Sequence, residues 1–457
     1  PKEGANGEIT YGEEIAASRI LQSTKGGPAG GGIRMSEKAV VRDSKALALE
    51  QQLKNLLMAE MGIQAGGAKG IIALNPKELT TREFHAVMRQ YVEKLFEAGI
   101  LDPKIDKPAP DVGFRSFKEN GVEFNMMDLM FNELVAQKAK SGTFADPTIQ
   151  AGMKAFFEKQ GPATEKDLGK PIWAMEYVRL AKEIEGPKEL PEAGVFTGKS
   201  EAFLGLAGRT PATGYGGYVF LKRAMEVMYK SNLQGKTIAV QGFGNVGQYF
   251  SLNAYRDGAK ITKIADVTKN AEGELVGLIM ESKTGINIER LFEHVNSGKP
   301  LAEYQEEGMT KSTPDLAMAN ENFVSSRVEV LVPAALQKVI RSDNVESVKA
   351  ELVLELANGP LDPVAQAKLA QRGVPTLADF LANAGGVFAS FLERRQNLEG
   401  RTMTETEVNR EIDTLMVRNF DATIAKMAET RTATLRTAGG LRAVESWYGL
   451  LQGEVPQ

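Results

Sequence analysis

The 457-residue chain contains no cysteine and only two histidines, His85 and His294. Disulfides, thiolate nucleophiles and Cys-ligated zinc are thereby excluded, and a multi-histidine metal centre has no residues to build it. A Ser-His-Asp triad would have to use one of two isolated imidazoles. An excess of one charge is also lacking: 55 Lys plus Arg stand against 59 Asp plus Glu, a formal net charge of -4. That balance gives no reason to expect nucleic acid or an anionic membrane as the partner. No apolar run approaches the ~20 residues needed to span a bilayer. The stretch from Pro1 to Gly12 is polar and acidic, unlike a targeting peptide. The expectation is a cytoplasmic protein without a metal site. Its chemistry must come from Lys, Asp, Glu, Ser, Asn, backbone amides or a borrowed cofactor.

What the chain does have is glycine, 46 residues of it, and these are clustered. Clusters occur at Gly26 to Gly32, Gly66 to Gly70, Gly205 to Gly217, Gly242 to Gly247 and Asn383 to Val387. Such clusters mark tight turns or backbone brought close to a ligand. A chain this long is expected to divide into two or three domains. Between the clusters, Asp43 to Met58 and Thr81 to Ala98 have helical periodicity, as does Gly217 to Tyr229. Thr237 to Gln241 is a short buried strand, followed by a helix from about Val246 to Asp257 and a strand from Ala259 to Asp266. Val328 to Val332 and Glu351 to Leu354 are further short apolar runs. Strands alternating with helices between Asn232 and Asn383 argue for a doubly wound parallel sheet.

The segment from Thr237 to Gly247, TIAVQGFGNVG, places three glycines between a strand and a helix. Gly242 permits the tight turn, Gly244 lets the backbone approach a pyrophosphate, and Gly247 allows close helix packing. The helix start, with Asn245 and Val246, offers free amides to phosphates. Asp266, at the end of the next strand, can accept from a ribose diol, which favours NAD. Lys269, three residues on, keeps NADP as the alternative. Thr197-Gly198-Lys199-Ser200 resembles the end of a P-loop, but the glycine required five residues before Gly198 is Ala193, so an ATPase is rejected.

In the N-terminal half, Lys69 lies within GGAKG, where small neighbours leave room around it, and Asp111 lies in the stiff frame PAPDVG. A lysine works as a base near neutral pH when burial or another cation lowers its pKa, and Lys54 is a candidate for that cation and for binding an anionic substrate group.

These motifs, with GGPAGGGIRM, KNLLMAEMGIQAGGAKG, KPAPDVG, VFTGK, GRTPATGYG, VLVPAAL, LELANGP and LANAGGVFASFLERRQNLEG, resemble the glutamate/leucine/phenylalanine/valine dehydrogenases, most of all the glutamate enzymes. The resemblance implies an α/β fold: an N-terminal α/β domain that binds the amino acid, a Rossmann-like doubly wound NAD-binding domain, a deep cleft between them, and a homohexamer. We expect boundaries of 1–205, 206–400 and 401–457, the last a helical segment returning to the first domain. By motif, Lys69 matches the lysine that activates the water attacking an iminium, and Asp111 matches the aspartate that moves protons at the substrate nitrogen. Lys54 matches the lysine that holds the α-carboxylate, and Ser390 a serine that helps bind the side-chain carboxylate in glutamate enzymes. Thr213, Gly242, Gly244, Asn245, Val246, Gly247, Asp266 and Asn358 match cofactor-side positions. The implied activity is reversible NAD-dependent oxidative deamination of an L-amino acid to a 2-oxo acid and ammonia.

The chain departs from the family in four places. Gly30 stands where glutamate-specific members carry the lysine that pairs with the γ-carboxylate. That change argues for an apolar substrate, as in the leucine, valine and phenylalanine enzymes. Ser390 and the ERRQN continuation argue for glutamate, provided a substitute cation such as Arg34 or Arg394 is supplied; the balance falls to glutamate. The stretch from Lys54 to Lys69 is about three residues longer than usual, the family's GTN is Gly113-Phe-Arg, and a helical insert is expected near 142–191. These departures also motivate a different class of function, a nucleotide-binding paralogue acting as an assembly or regulatory subunit. The presence of both Lys69 and Asp111 opposes that reading.

Overall fold

A computed structural model describes residues 2–452 except 5–8, 11–15, 23–27, 38, 60–62, 64–65, 112, 120 and 187. Gly26 and Gly27 of the first glycine cluster, and part of the loop between Lys54 and Lys69, lie outside the described residues. The chain forms two compact units. Unit 1 is Pro1–Arg209, Val387–Val408 and Ala443–Gln457; unit 2 is Thr210–Gly386 and Asn409–Arg442.

In unit 1 a four-stranded sheet has the order β1 (Ala17–Gln22), β3 (Gly66–Ile72), β2 (Ala29–Met35), β4 (Asp106–Pro110), and only β1 runs antiparallel to its neighbour. Helix α1 (Val41–Ala59) lies directly on β3. A Cβ at Gly67 would stand 2.2 Å from the Ala48 carbonyl oxygen and 2.4 Å from the Gln52 amide nitrogen. Close approach of helix to strand is therefore what the GGAKG glycines permit. Asn55 reinforces the contact by donating from Nδ2 to the carbonyls of Gly30 (3.3 Å) and Gly66 (2.6 Å).

The remaining helices of unit 1 start where their sequences dictate. Thr80 and Glu83 form a reciprocal capping box that opens α2 (Thr81–Glu97), and Asn125 and Asp128 do the same for α3 (Met126–Ser141). The expected insert contains α4 (Pro147–Gln160) and α5 (Ile172–Glu183). It is part of the core rather than an appendage: Trp173 and Tyr177 are wholly buried, and Asn132 Oδ1 on α3 accepts from the amides of Trp173 and Ala174. His85 belongs to the same core, its Nδ1 accepting from the Gly169 amide (2.8 Å), so that Nε2 donates to Glu133 (2.7 Å). Burial opposes charge on Glu133, yet His85 and Arg89 together bring its carboxyl down to about 2.

Unit 2 opens with α6 (Ala212–Met228), which starts five residues before the helix expected from periodicity. Its seven-stranded sheet contains β5 (Thr237–Gln241), β6 (Lys260–Lys269), β7 (Leu275–Ser282), β8 (Met309–Ser312), β9 (Val330–Pro333), β10 (Leu352–Leu354) and β11 (Thr376–Leu377). The spatial order is β8-β7-β6-β5-β9-β10-β11; β7 is antiparallel to both its neighbours, and the other pairs are parallel. The chain leaves β5 towards β6 on one side and later returns to β9 on the other. That reversal is the switch point at which open α/β sheets bind ligands. Helix α7 (Asn245–Arg256) leaves from it.

The expected boundaries at 400 and 401 are not where the units divide. Most of α8 (Gly385–Glu399) belongs to unit 1, because Glu393 pairs with Lys199 and Arg394 donates to the Pro103 carbonyl. The middle of the tail belongs to unit 2 instead. There Tyr215 bonds Asp413 on α9 (Glu405–Thr430), Arg223 pairs with Asp421, and Arg436 on α10 (Leu435–Gln452) pairs with Glu355 and Asp379. Only the end of the tail, from Ala443, returns to unit 1.

The Lys199–Glu393 pair has both side chains fully buried at 2.7 Å. Lys199 also donates to the carbonyls of Ala193 (2.9 Å) and Phe196 (2.5 Å), so the P-loop look-alike is a structural knot. Glu393→Gln keeps the shape and leaves a buried ammonium without its counter-charge. Thermal or urea unfolding should show a loss of about 3–5 kcal/mol; a melting curve superposable on that of the unaltered chain would refute the assignment.

Candidate active site

In unit 1, the two strands that flank β2 bring Lys69 and Asp111 into contact. Lys69 is buried within β3, and Asp111 follows the end of β4, on the far side of β2. The Lys69 ammonium meets Asp111 Oδ2 in an ion pair. Arg34 of β2 stands on the same oxygen, its Nε 3.4 Å away. Gly32 makes this possible, since a Cβ there would lie 2.6 Å from the Asp111 Cβ. Lys54 is buried on α1, next to the Asn55 that ties this helix to the sheet. Ser390 is buried on α8, one turn before Arg394. A buried ammonium in contact with a carboxylate can pass a proton to and from a bound group without solvent.

The second constellation lies at the switch point of unit 2. Gly242 has φ +91°, and a Cβ there would crowd Ala335, just beyond β9. Gly247 has no room at all: its Cβ would stand 1.9 Å from the Gly242 carbonyl oxygen. Gly244, by contrast, faces open space. No side chain caps the first turn of α7, so its leading amides, from Asn245 and Val246 onward, are available to an anion. Asp266 Oδ2 accepts from the Phe243 amide (2.6 Å) and Oδ1 from the Val267 amide (2.7 Å). The carboxylate is thus held at the turn with lone pairs to spare for a diol. Thr213 is in the first turn of α6, beside Gly214, whose missing side chain lets α6 approach the Val246 carbonyl of α7. Asn358, beyond the carboxyl end of β10, accepts from Asn383 Nδ2 at 3.1 Å. These residues fit a dinucleotide: a cradle a side chain would fill, a free helix start and a carboxylate beside both.

One detail of the sequence reading needs correction. Asp266 is not at the end of its strand; β6 continues to Lys269, paired with Leu275 of β7. An odd separation along a strand puts the two side chains on opposite faces. Lys269 therefore points away from the face that carries Asp266.

The two constellations lie within segments that match a known family. Residues 205–448 match the family described as Glutamate/Leucine/Phenylalanine/Valine dehydrogenase, and residues 5–127 match its dimerisation domain. The chain belongs to this family. It is similar to the NADP(+)-dependent glutamate dehydrogenase of Pyrobaculum calidifontis, with 30% identity covering 96% of this chain and 86% of that protein. Similarity to the NAD-specific glutamate dehydrogenase of Peptoniphilus asaccharolyticus is also 30%, covering 94% and 84%. Among solved structures, glutamate dehydrogenase from the latter organism superimposes with a TM-score of 0.63 at 26% identity, covering 96% of this chain and 91% of that one. The hetero-hexameric glutamate dehydrogenase from Thermus thermophilus, in a Leu bound form, shares the fold with a TM-score of 0.71 at 24% identity, covering 98% and 86%.

Against this family's pattern, the two suggested substitute cations have other engagements. Arg34 stands on Asp111, and both Nε and Nη2 of Arg394 donate to the Pro103 carbonyl. The charged residue that sequence reading passed over is Lys107. It is printed in the KPAPDVG motif, but its nearness to Gly30 follows only from the pairing of β4 with β2.

The two glycines of the α7 turn should respond differently to a methyl group. Gly247→Ala forces strand and helix apart and should cost about 1–3 kcal/mol of stability, the usual range for overpacking. Gly244→Ala should melt with the unaltered chain. Equal melting temperatures for both variants would contradict the packing described.

Proposed function

We propose that this chain catalyses the reversible, NAD-dependent oxidative deamination of L-glutamate to 2-oxoglutarate and ammonia, in the cytoplasm and as a homohexamer. The observation that carries the reading is the buried Lys69–Asp111 contact in a member of a dehydrogenase family. The glutamate dehydrogenases among its relatives support the substrate. The match to a dimerisation domain supports assembly, and the hetero-hexameric neighbour supports the number of six subunits.

In the proposed reaction Lys54 holds the α-carboxylate and so orients the α-carbon. Asp111 takes a proton from the substrate ammonium, freeing the nitrogen lone pair. A nicotinamide held on the cofactor side would supply the hydride acceptor, so that loss of hydride from the α-carbon turns the amine into an iminium. Lys69, acting in its neutral amine form, then removes a proton from the water that attacks the iminium carbon. Asp111 returns a proton to the nitrogen and then takes up the hydroxyl proton as the carbonyl forms and ammonia leaves. Ser390 takes part in holding the distal carboxylate. On the cofactor side, the turn from Gly242 to Gly247 and the start of α7 receive the pyrophosphate, with Thr213 and Asn358 nearby in the same unit. Asp266 receives the adenosine ribose diol. NAD is preferred to NADP in this reading because the Asp266 carboxylate is held at the turn by the Phe243 amide, whereas Lys269 lies on the other face of β6.

Lys69→Ala and Asp111→Asn should each lower kcat with glutamate and NAD by roughly 10²–10⁴-fold, the usual contribution of a general acid or base. The appearance of reduced nicotinamide measures it. NADH affinity, followed by its fluorescence, should stay near that of the unaltered chain, so undiminished turnover in both variants would refute these roles. Gly244→Ala should show the reverse pattern, an intact fold with NADH affinity reduced at least about tenfold by crowding the pyrophosphate. Light scattering should give the mass of about six protomers.

A further inference from the structure

Gly30 of β2 and Lys107 of β4 are in register on adjacent parallel strands. Residues so paired project on the same face. A Cβ at Gly30 would lie 2.1 Å from Lys107 Cε, 2.7 Å from Cγ and 2.9 Å from Cδ. The aliphatic part of Lys107 therefore occupies the space that a side chain at Gly30 would need, running across β2. The residue as a whole is only 4% exposed.

Nothing among the described residues neutralises the Lys107 ammonium by hydrogen bond or ion pair. The nearest carboxylate in sequence, Asp106, is already taken by Arg19, which holds it with two bonds of 2.6 and 2.7 Å. What faces Lys107 from α8 is the ring of Phe391, 6.0 Å from Nζ, and a second cation, Arg394. Ser390 and Phe391 share the helix face of Arg394, lying four and three residues before it. Burial first and Arg394 second push the Lys107 ammonium down to about 8. Asp106 acts on the Lys107 ammonium from a distance but is bonded to Arg19, so Lys107 is left without a paired anion, which is costly for a charge at a buried residue.

Its position along the sheet fits one particular anion. Gly30 and Gly32 lie on the same face of β2, about 6.6 Å apart at the rise of a strand. Lys107 crosses at the first and Asp111 stands over the second. That spacing is close to the reach of a five-carbon amino acid from its nitrogen to its distal carboxylate.

We propose that Lys107 is the residue that selects a dicarboxylic amino acid, its ammonium receiving the substrate's side-chain carboxylate from the strand next to Gly30. The assignment rests on the reading of the chain as an amino acid dehydrogenase acting on glutamate. Gly30 and Lys107 then form a reciprocal pair, in which one strand gives up its side chain so that the next can lay a cation across it.

The test compares glutamate with norvaline, which has a methyl group in place of the distal carboxylate. In Lys107→Met the ratio of kcat/KM for glutamate to that for norvaline should fall by about 10²-fold or more, mostly through the glutamate KM, as expected for loss of one member of a buried charge pair. A second variant, Gly30→Lys combined with Lys107→Ala, returns a cation from β2 and should recover the ratio to within about tenfold. A folded Lys107→Met enzyme with an unchanged ratio overturns the proposal and leaves the dehydrogenase reading intact. So does a folded double variant whose ratio stays as low as that of Lys107→Ala alone. An unaltered chain that oxidises neither amino acid removes the dehydrogenase reading itself, and with it the proposal.

Discussion

The absence of side chains on β2 and β3 is the constraint from which the site in unit 1 follows. Gly67 lets α1 rest its backbone on the sheet, and Gly32 lets the Asp111 carboxylate stand over β2. With ordinary residues at these positions the helix would ride about a side chain higher, and Lys54 and Lys69 would not be buried on one sheet. A core usually excludes charge because desolvation is costly. Here Lys54, Lys69, Lys107 and Asp106 are all buried in the same small sheet and its covering helix. Close packing of bare backbone places these charges beneath the helix.

The second unit uses glycine for a related but separate purpose. At Gly242 the requirement is a positive φ, and at Gly247 it is contact between strand and helix. At Gly244 neither applies, and the residue faces open space. Only in the last case does the lack of a side chain concern something outside the protein. Glycine content alone cannot separate these uses, since each position has its own neighbour.

Local patterns were readable and long-range ones were not. Thr237–Gln241 is a strand to the residue, and Thr81–Glu97 differs from its expected span by one position, because alternation, capping and turn residues are local facts. Helix α6 was expected late, since its start at Ala212 passes through glycines that disfavour a helix but allow it to pack on α7. Lys69 and Asp111 could be singled out by motif, whereas their contact depends on strand order. Lys107 was hidden for the same reason. Its neighbour Gly30 is 77 residues away in sequence and one strand away in space. The division of the tail depends on pairs such as Arg223–Asp421, which no periodicity announces.

The buried bond between Lys199 and Glu393 joins residues 194 apart, with almost the whole of unit 2 between them. During synthesis from the N-terminus, the first 209 residues of unit 1 emerge long before the helix that supplies Glu393. Until then the Lys199 ammonium lacks the carboxylate to which it is bonded in the finished fold. The intervening unit also depends on a later segment, since Asp413, Asp421 and Arg436 follow Glu393. Neither unit is a continuous stretch of chain, so each is completed only after part of the other has been made. A ribosome-bound intermediate cut at Arg209 would therefore not be a smaller stable protein. It would expose apolar surface and a charge without its partner, the kind of species that chaperones bind.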